Sequence, residues 1–156
     1  VARIEYYDDP QAPEPNSLVV ATSAVITDDQ GRILLQRRTD SGNWALPGGA
    51  MEMNESLTDS VIRETREETG LDIEVTGIVG TYTDPKHIIA YTDGEVRRQF
   101  NICYTARILG GELQPSSEST ALAFTHPRDL DGLPIHRTQR LRLTHFLKRR
   151  GSPHLG

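Results

Sequence analysis

One cysteine, one tryptophan, two methionines and three phenylalanines are spread through a chain of 156 residues. The single thiol, Cys103, excludes an internal disulfide and any zinc site built from several cysteines. Long apolar runs are missing as well. The longest mostly apolar stretch, Leu18–Ile26, falls far short of the roughly 20 residues that a bilayer-spanning helix needs. No basic segment followed by an apolar one opens the chain, so no signal peptide is expected, and a reducing, cytoplasmic setting fits. Positive charge is in short supply: 17 basic against 22 acidic residues give 17 − 22 = −5. That balance argues against bulk nucleic-acid binding, which needs a basic footprint. It leaves room for a small anionic ligand, because local charge can oppose net charge. The five histidines (His87, His126, His136, His145, His154) show no tight ligand spacing and read as structural or surface groups.

What is present suggests one α/β domain. Residues 1–16, with Pro10, Pro13 and Pro15, read as an extended arm; residues 17–150 form the domain and 151–156 a tail. Strands are expected at 18–27 and 32–38, joined by the turn "DDQG", then at 72–82, 96–108 and 120–126. Residues 83–95 form a long loop or an irregular hairpin. A first helix is predicted from Ser56, through an S-x-x-D capping box with Asp59, to a stop at Gly70. A second spans 136–150, with Leu143, Phe146 and Leu147 as its apolar face and Arg137, Arg140, Arg142, Lys148, Arg149 and Arg150 as a solvated basic one.

The first helix breaks the usual pattern. Leu57 and Val61 mark its core-facing stripe, and the same stripe continues into Glu64 and Glu68, with Glu67 on the flank. Asp59, Arg63 and Glu67 form a second row in which Arg63 can pair with both acids. Burying unpaired carboxylates is very costly. Two readings stand: a solvated acidic face, or half of a site for a hard divalent cation such as Mg²⁺ or Mn²⁺, whose remaining ligands include substrate phosphates.

The spacing Gly49-x5-Glu55-x7-Arg63-Glu64-Thr65-Arg66-Glu67-Glu68-Thr69-Gly70-Leu71 resembles the Nudix box, G-x5-E-x7-R-E-U-x-E-E-x-G-U. All seven fixed letters match, which by chance happens on the order of once in a million chains of this size. Thr65 replaces the first bulky aliphatic, and Asn54 stands where many relatives carry Gly. "ILLQRR…NWALPGG" and "ALAFTHPRDLDGL" are similar to flanking segments of the family, with Phe124 where Trp is common. The resemblance implies an α/β/α sandwich with a mixed sheet between helices. It also implies hydrolysis of a phosphoanhydride in a nucleoside diphosphate linked to a group X, such as a nucleotide sugar, ADP-ribose or a nucleoside triphosphate. By motif position, Gly49, Glu64, Glu67 and Glu68 would hold Mg²⁺ or Mn²⁺. Glu64, Glu67 and Arg63 would form the catalytic set, with Glu55 as support. Glu118 is a candidate base outside the box; the alternative is a solvated loop residue. Ala121 occupies the nearer position that is often acidic in relatives. The partner is then a small nucleotide derivative, and a homodimer is common among relatives. A non-catalytic nucleotide sensor is the competing function.

Weaker signals concern X. Tyr82 or Tyr91 offers base stacking; Arg37, Arg38, Lys86, Arg97 or Arg98 offers phosphate contacts. Pro85 lies fourteen residues past Leu71, near a spacing found in ADP-ribose-cleaving relatives. Trp44 reads as packing.

Overall fold

The computed structural model describes residues 2–149 and 151–156. In strand β2 (Ser17–Thr27), residues 21–26 are buried on both faces, and their alternation sorts the molecule into layers. Ala24 and Ile26 face one core with Leu34, Val61, Leu71, Ile73 and Ala106. Val25 faces the other with Ile33, Leu35, Val79, Cys103, Leu143 and Phe146. Successive strand residues point to opposite faces, so β3 (Ile33–Arg38) divides in the same way. Val61 belongs to helix α1 (Leu57–Thr69); Leu143 and Phe146 belong to helix α2 (Arg137–Lys148). The two helices therefore cover opposite faces of one mixed sheet, an α/β/α sandwich as the resemblance implied.

The sheet runs β1 (Arg3–Tyr7), β7 (His87–Tyr91), β8 (Val96–Gly111), β2, β3, β4 (Trp44–Ala45). β6 (Leu71–Tyr82) lies antiparallel to β8, and β9 (Ser119–Thr125) antiparallel to β3. β2 runs parallel to β8 along its whole length. Against β3 it pairs only at Thr27↔Ile33, and the two strands part beyond that point. The short β5 (Gly48–Ala50) fills part of the gap against β2, while β4 pairs with β3. This parting opens a crevice in the middle of the sheet.

Several segments differ from expectation. The 1–16 arm is extended, but Arg3–Tyr7 joins the sheet beside β7. Residues 83–95 resolve into β7 and a hairpin turn to β8. The tail adds β10 (His154–Leu155), parallel to β6. No apolar alternation marks these pieces, because backbone pairing to an open sheet edge asks little of side chains. In α2, Leu147 is 47% exposed and does not share the apolar face; the buried neighbour of Leu143 is Arg142. Arg150 lies outside the described residues. A 3₁₀ turn (Pro127–Gly132) leads from β9 toward α2. No described helix is long and apolar enough to cross a membrane.

Candidate active site

Helix α1 starts as its sequence dictates. Ser56 Oγ accepts from the Asp59 N–H and the Asp59 carboxylate accepts from the Ser56 N–H, a reciprocal capping box. Asp59 is thereby occupied, so it does not pair with Arg63 as the i, i+4 row suggested. The helix ends at Gly70, whose φ of 80° is left-handed. The buried stripe comprises Ser60, Val61, Thr65, Glu68 and Thr69, while Leu57 is only half-buried.

Arg63 is the hub. Its guanidinium donates to both Glu55 oxygens at 2.6 and 2.9 Å, to Glu64 at 3.0 Å, to Glu67 at 3.1 Å and to the Ala50 carbonyl at 3.2 Å. Glu52 stands 3.9 Å away, at the edge of ion-pairing range. The Glu55 hydrogen bond, more than any other cause, raises the Arg63 pKa, and the same bond lowers that of Glu55. Glu68 is the carboxylate that Arg63 does not reach. It is 3% exposed and accepts from the Gly48 N–H at 3.0 Å and from Gln36 Nε2. Gln36 arrives there by strand alternation, on the same face of β3 as Leu34. Burial pushes Glu68 up to about 8, against those two donors, and the neighbouring Glu64 and Glu118 carboxylates push the same way. Burial raises Glu64 as well, although Arg63 opposes it.

The side chains fit a hard divalent cation. Burial raises both Glu64 and Glu68, and the charge of each neighbouring carboxylate adds to it at Glu68, so the pair lacks a compensating positive charge of the kind a cation supplies. A Cβ at Gly49 would lie 2.6 Å from the Glu64 carboxylate; the missing side chain is what lets the carboxylate lie against the β5 backbone. Every nearby ligand atom is oxygen, the donor set for Mg²⁺ or Mn²⁺. Gly49, Glu64 and Glu68 converge here, while Glu67 stays exposed on the rim.

A cleft of about 260 Å³ lies over this array, lined by Gly48, Gly49, Glu64 and Glu118 and by Arg3, Arg38, Arg97 and Arg142. Glu118 is thus brought to the site; it lies in the turn that the Ser119 N–H closes on the Ser116 carbonyl, next to a register shift between β3 and β9 at Arg37/Arg38. Among the residues predicted to recognise X, Arg38, Tyr91 and Arg97 border the cleft, but Arg38 is engaged by Asp40 at 2.8 and 2.9 Å and Arg97 by Glu95. Arg37, Lys86 and Arg98 border neither the cleft nor the larger cavity beside it: Arg37 donates to the Gly42 carbonyl, Arg98 to the Thr83 carbonyl, and Lys86 is exposed. Tyr82 lines the larger cavity, where it stacks with His145 and His154. Trp44 packs against the core around Leu143, as expected.

Sequence spacing missed the histidines. His87 and His136 both reach Glu5 Oε2, at 3.0 and 3.2 Å, uniting the arm, β7 and the start of α2. His136 Nδ1 accepts from the Thr138 N–H, which leaves Nε2 carrying the proton toward Glu5. The cluster is therefore a closed hydrogen-bonded clasp. Three residues separated by 82 and 49 positions along the chain give no motif to find.

A family model described as the NUDIX domain matches residues 17–146. The chain belongs to the Nudix family. A MutT-like protein of Streptomyces ambofaciens is 35% identical over 126 residues, 80% of this chain and 75% of that protein. An ADP-ribose pyrophosphatase of Methanocaldococcus jannaschii is 32% identical over 118 residues, 74% of this chain and 64% of that protein. Among solved structures, an ADP-ribose pyrophosphatase from Streptococcus suis superposes with a TM-score of 0.65 at 30% identity, covering 88% of this chain and 96% of that one. The Nudix box thus corresponds to β5, α1 and the turn into β6. The enzyme is of the Nudix pyrophosphohydrolase type.

Proposed function

We propose that this Nudix enzyme hydrolyses a phosphoanhydride bond in a nucleoside diphosphate linked to X, with Mg²⁺ or Mn²⁺ held by Glu64, Glu67, Glu68 and the Gly49 carbonyl. The observation that carries the reading is the convergence of Glu64, Glu67 and Glu55 on one arginine, with Glu68 buried beside them. A bound divalent cation supplies neutralisation of the phosphate charge that builds during transfer.

The chain's own residues do the rest. Arg63 holds the Glu64 and Glu67 carboxylates in place, and Glu55 fixes Arg63. Glu67 is the exposed member of the array, open to solvent and to an incoming water. It orients that water toward phosphorus, with Glu118, which lines the cleft together with Glu64, available to take the proton. A P–O bond to the water oxygen forms as the bridging P–O bond breaks. ADP-ribose or a nucleotide sugar suits the site better than a bare triphosphate, because the adjoining cavity of about 530 Å³ leaves space for an organic group beyond the diphosphate.

A panel of ADP-ribose, nucleotide sugars and nucleoside triphosphates, assayed with Mg²⁺ and Mn²⁺ and with products weighed, tests this reading. Glu67→Gln lowers turnover by orders of magnitude while the far-UV spectrum stays unchanged; near-normal hydrolysis by that variant would sink the assignment. Glu118→Gln reshapes the pH–rate profile if Glu118 accepts the proton, and a profile superimposable on that of the parent removes it from the role.

A further inference from the structure

Arg142 sits on α2 beside Leu143 and is 5% exposed. Among the described residues its guanidinium makes no hydrogen bond and no ion pair, and its Nε is buried without a partner. Its one specific contact is the face of Tyr82, 5.4 Å from the ring centre. The other arginines around the cleft are engaged: Arg3 by Glu5 and Asp40, Arg38 by Asp40, Arg97 by Glu95.

Among the described residues no acid forms an ion pair with Arg142. Burial pushes the Cys103 thiol up and holds the Tyr82 phenol protonated well above its ordinary range, so both are neutral at physiological pH. Glu5, the remaining acid in its field, is held by Arg3, His87 and His136. A buried, unpaired cation destabilises a fold. Such a defect persists where function uses it.

Position indicates the use. Arg142 and Gln99 border both the carboxylate cleft and the adjoining cavity of about 530 Å³, so they form the partition between the two. That volume falls in the range of small-molecule sites, roughly 300–1,000 Å³. Tyr7, Tyr82 and His154 give it aromatic walls. A molecule spanning both spaces passes Arg142 at its middle.

We propose that Arg142 is the receptor for a phosphate of the substrate, binding the diphosphate where it crosses from the carboxylate cleft into the aromatic cavity, with the organic moiety on that side lying in that cavity. The guanidinium fork matches two phosphate oxygens, which a lysine cannot do. The substrate class is then a diphosphate with a ring-bearing group on the cavity side. Its identity as the hydrolysed substrate rests on the proposed function; the anion site does not.

The test is calorimetric titration of the full chain with inorganic pyrophosphate, in EDTA and again with Mg²⁺, together with thermal unfolding, for wild type, Arg142→Met, Arg142→Leu and Arg142→Lys. Met removes the charge and keeps the bulk. The expected result is a melting temperature for Arg142→Met equal to or above that of wild type, with pyrophosphate affinity reduced about tenfold or more. Arg142→Lys falls between them. For whichever substrate is hydrolysed, KM rises more than kcat falls. Pyrophosphate affinity within about twofold of wild type in Arg142→Met overturns the proposal, as does a wild type that binds no pyrophosphate in either condition. So does a lower melting temperature in both Arg142→Met and Arg142→Leu, which would make the cation structural. If wild type binds pyrophosphate through Arg142 but cleaves no member of the substrate panel, the hydrolase reading fails and the anion site stands.

Discussion

Arg63 Nε and Nη2 meet the two oxygens of Glu55 at 2.6 and 2.9 Å, a two-point grip between residues eight apart in the chain. It ties the loop before α1 to the helix and leaves Nη1 free to reach Glu64 and Glu67. A lysine carries the same charge but cannot make the fork. Arg63→Lys is therefore expected to weaken Mg²⁺ or Mn²⁺ binding by about 10–100-fold, as loss of a supporting contact around a metal site generally does. Metal titrations followed by calorimetry measure this directly. Unchanged metal affinity would show that the grip has no bearing on the carboxylates.

Thr65 is fully buried on α1, and its Oγ1 has no partner among the described residues. It occupies the motif position that usually carries a bulky aliphatic residue. An unsatisfied buried hydroxyl costs about 1–3 kcal/mol, and valine keeps the branched shape without it. Thr65→Val is expected to raise stability by roughly 1 kcal/mol in urea unfolding while leaving turnover unchanged. A less stable variant would point to a hydrogen bond made through water.

Glu5 links stability to pH. Burial raises its pKa, yet the His87 hydrogen bond together with the charges of Arg3, His136 and His87 brings it down from 4.5 to about 2. Its pKa is depressed in the folded state, so the unfolded chain binds the proton first. The stabilisation is complete above about pH 4.5 and is lost as pH falls toward 2. The shift of 4.5 − 2 = 2.5 pH units corresponds to about 3 kcal/mol. Glu5→Gln is expected to lower the melting temperature at pH 6 and to close that gap between pH 4.5 and 2. A difference that stays constant across this range would mean the clasp acts through packing alone.

The box and its helix were legible in the sequence because the information there is local. Ser56 and Asp59 cap the helix, Gly70 ends it, and three or four residues of spacing place Glu64 and Glu68 beside Val61, whatever surrounds them. The same locality explains why strands β2, β3, β6, β8 and β9 were anticipated within a few residues. It also explains why β1, β7 and β10 were not resolved as strands: their partners are distant in sequence, and backbone pairing leaves little pattern behind. Leu147 was placed in the core and Arg142 on a solvated face because helical periodicity favours apolar residues inside; the structure reverses the two.

Residue identity and spacing therefore determined the family, the reaction type and the carboxylate array, since one continuous segment carries all three. Tertiary structure alone decided that Gln36 and Gly48 would donate to Glu68, that Glu118 would line the same cleft as Glu64, and that Glu5 would gather two histidines. It also left Arg142 buried without a counter-ion between two cavities. These relations join residues that are far apart along the chain. They arise where β2 and β3 part and α2 closes over the opposite face, a geometry set by how the strands pair and not by any one segment's pattern.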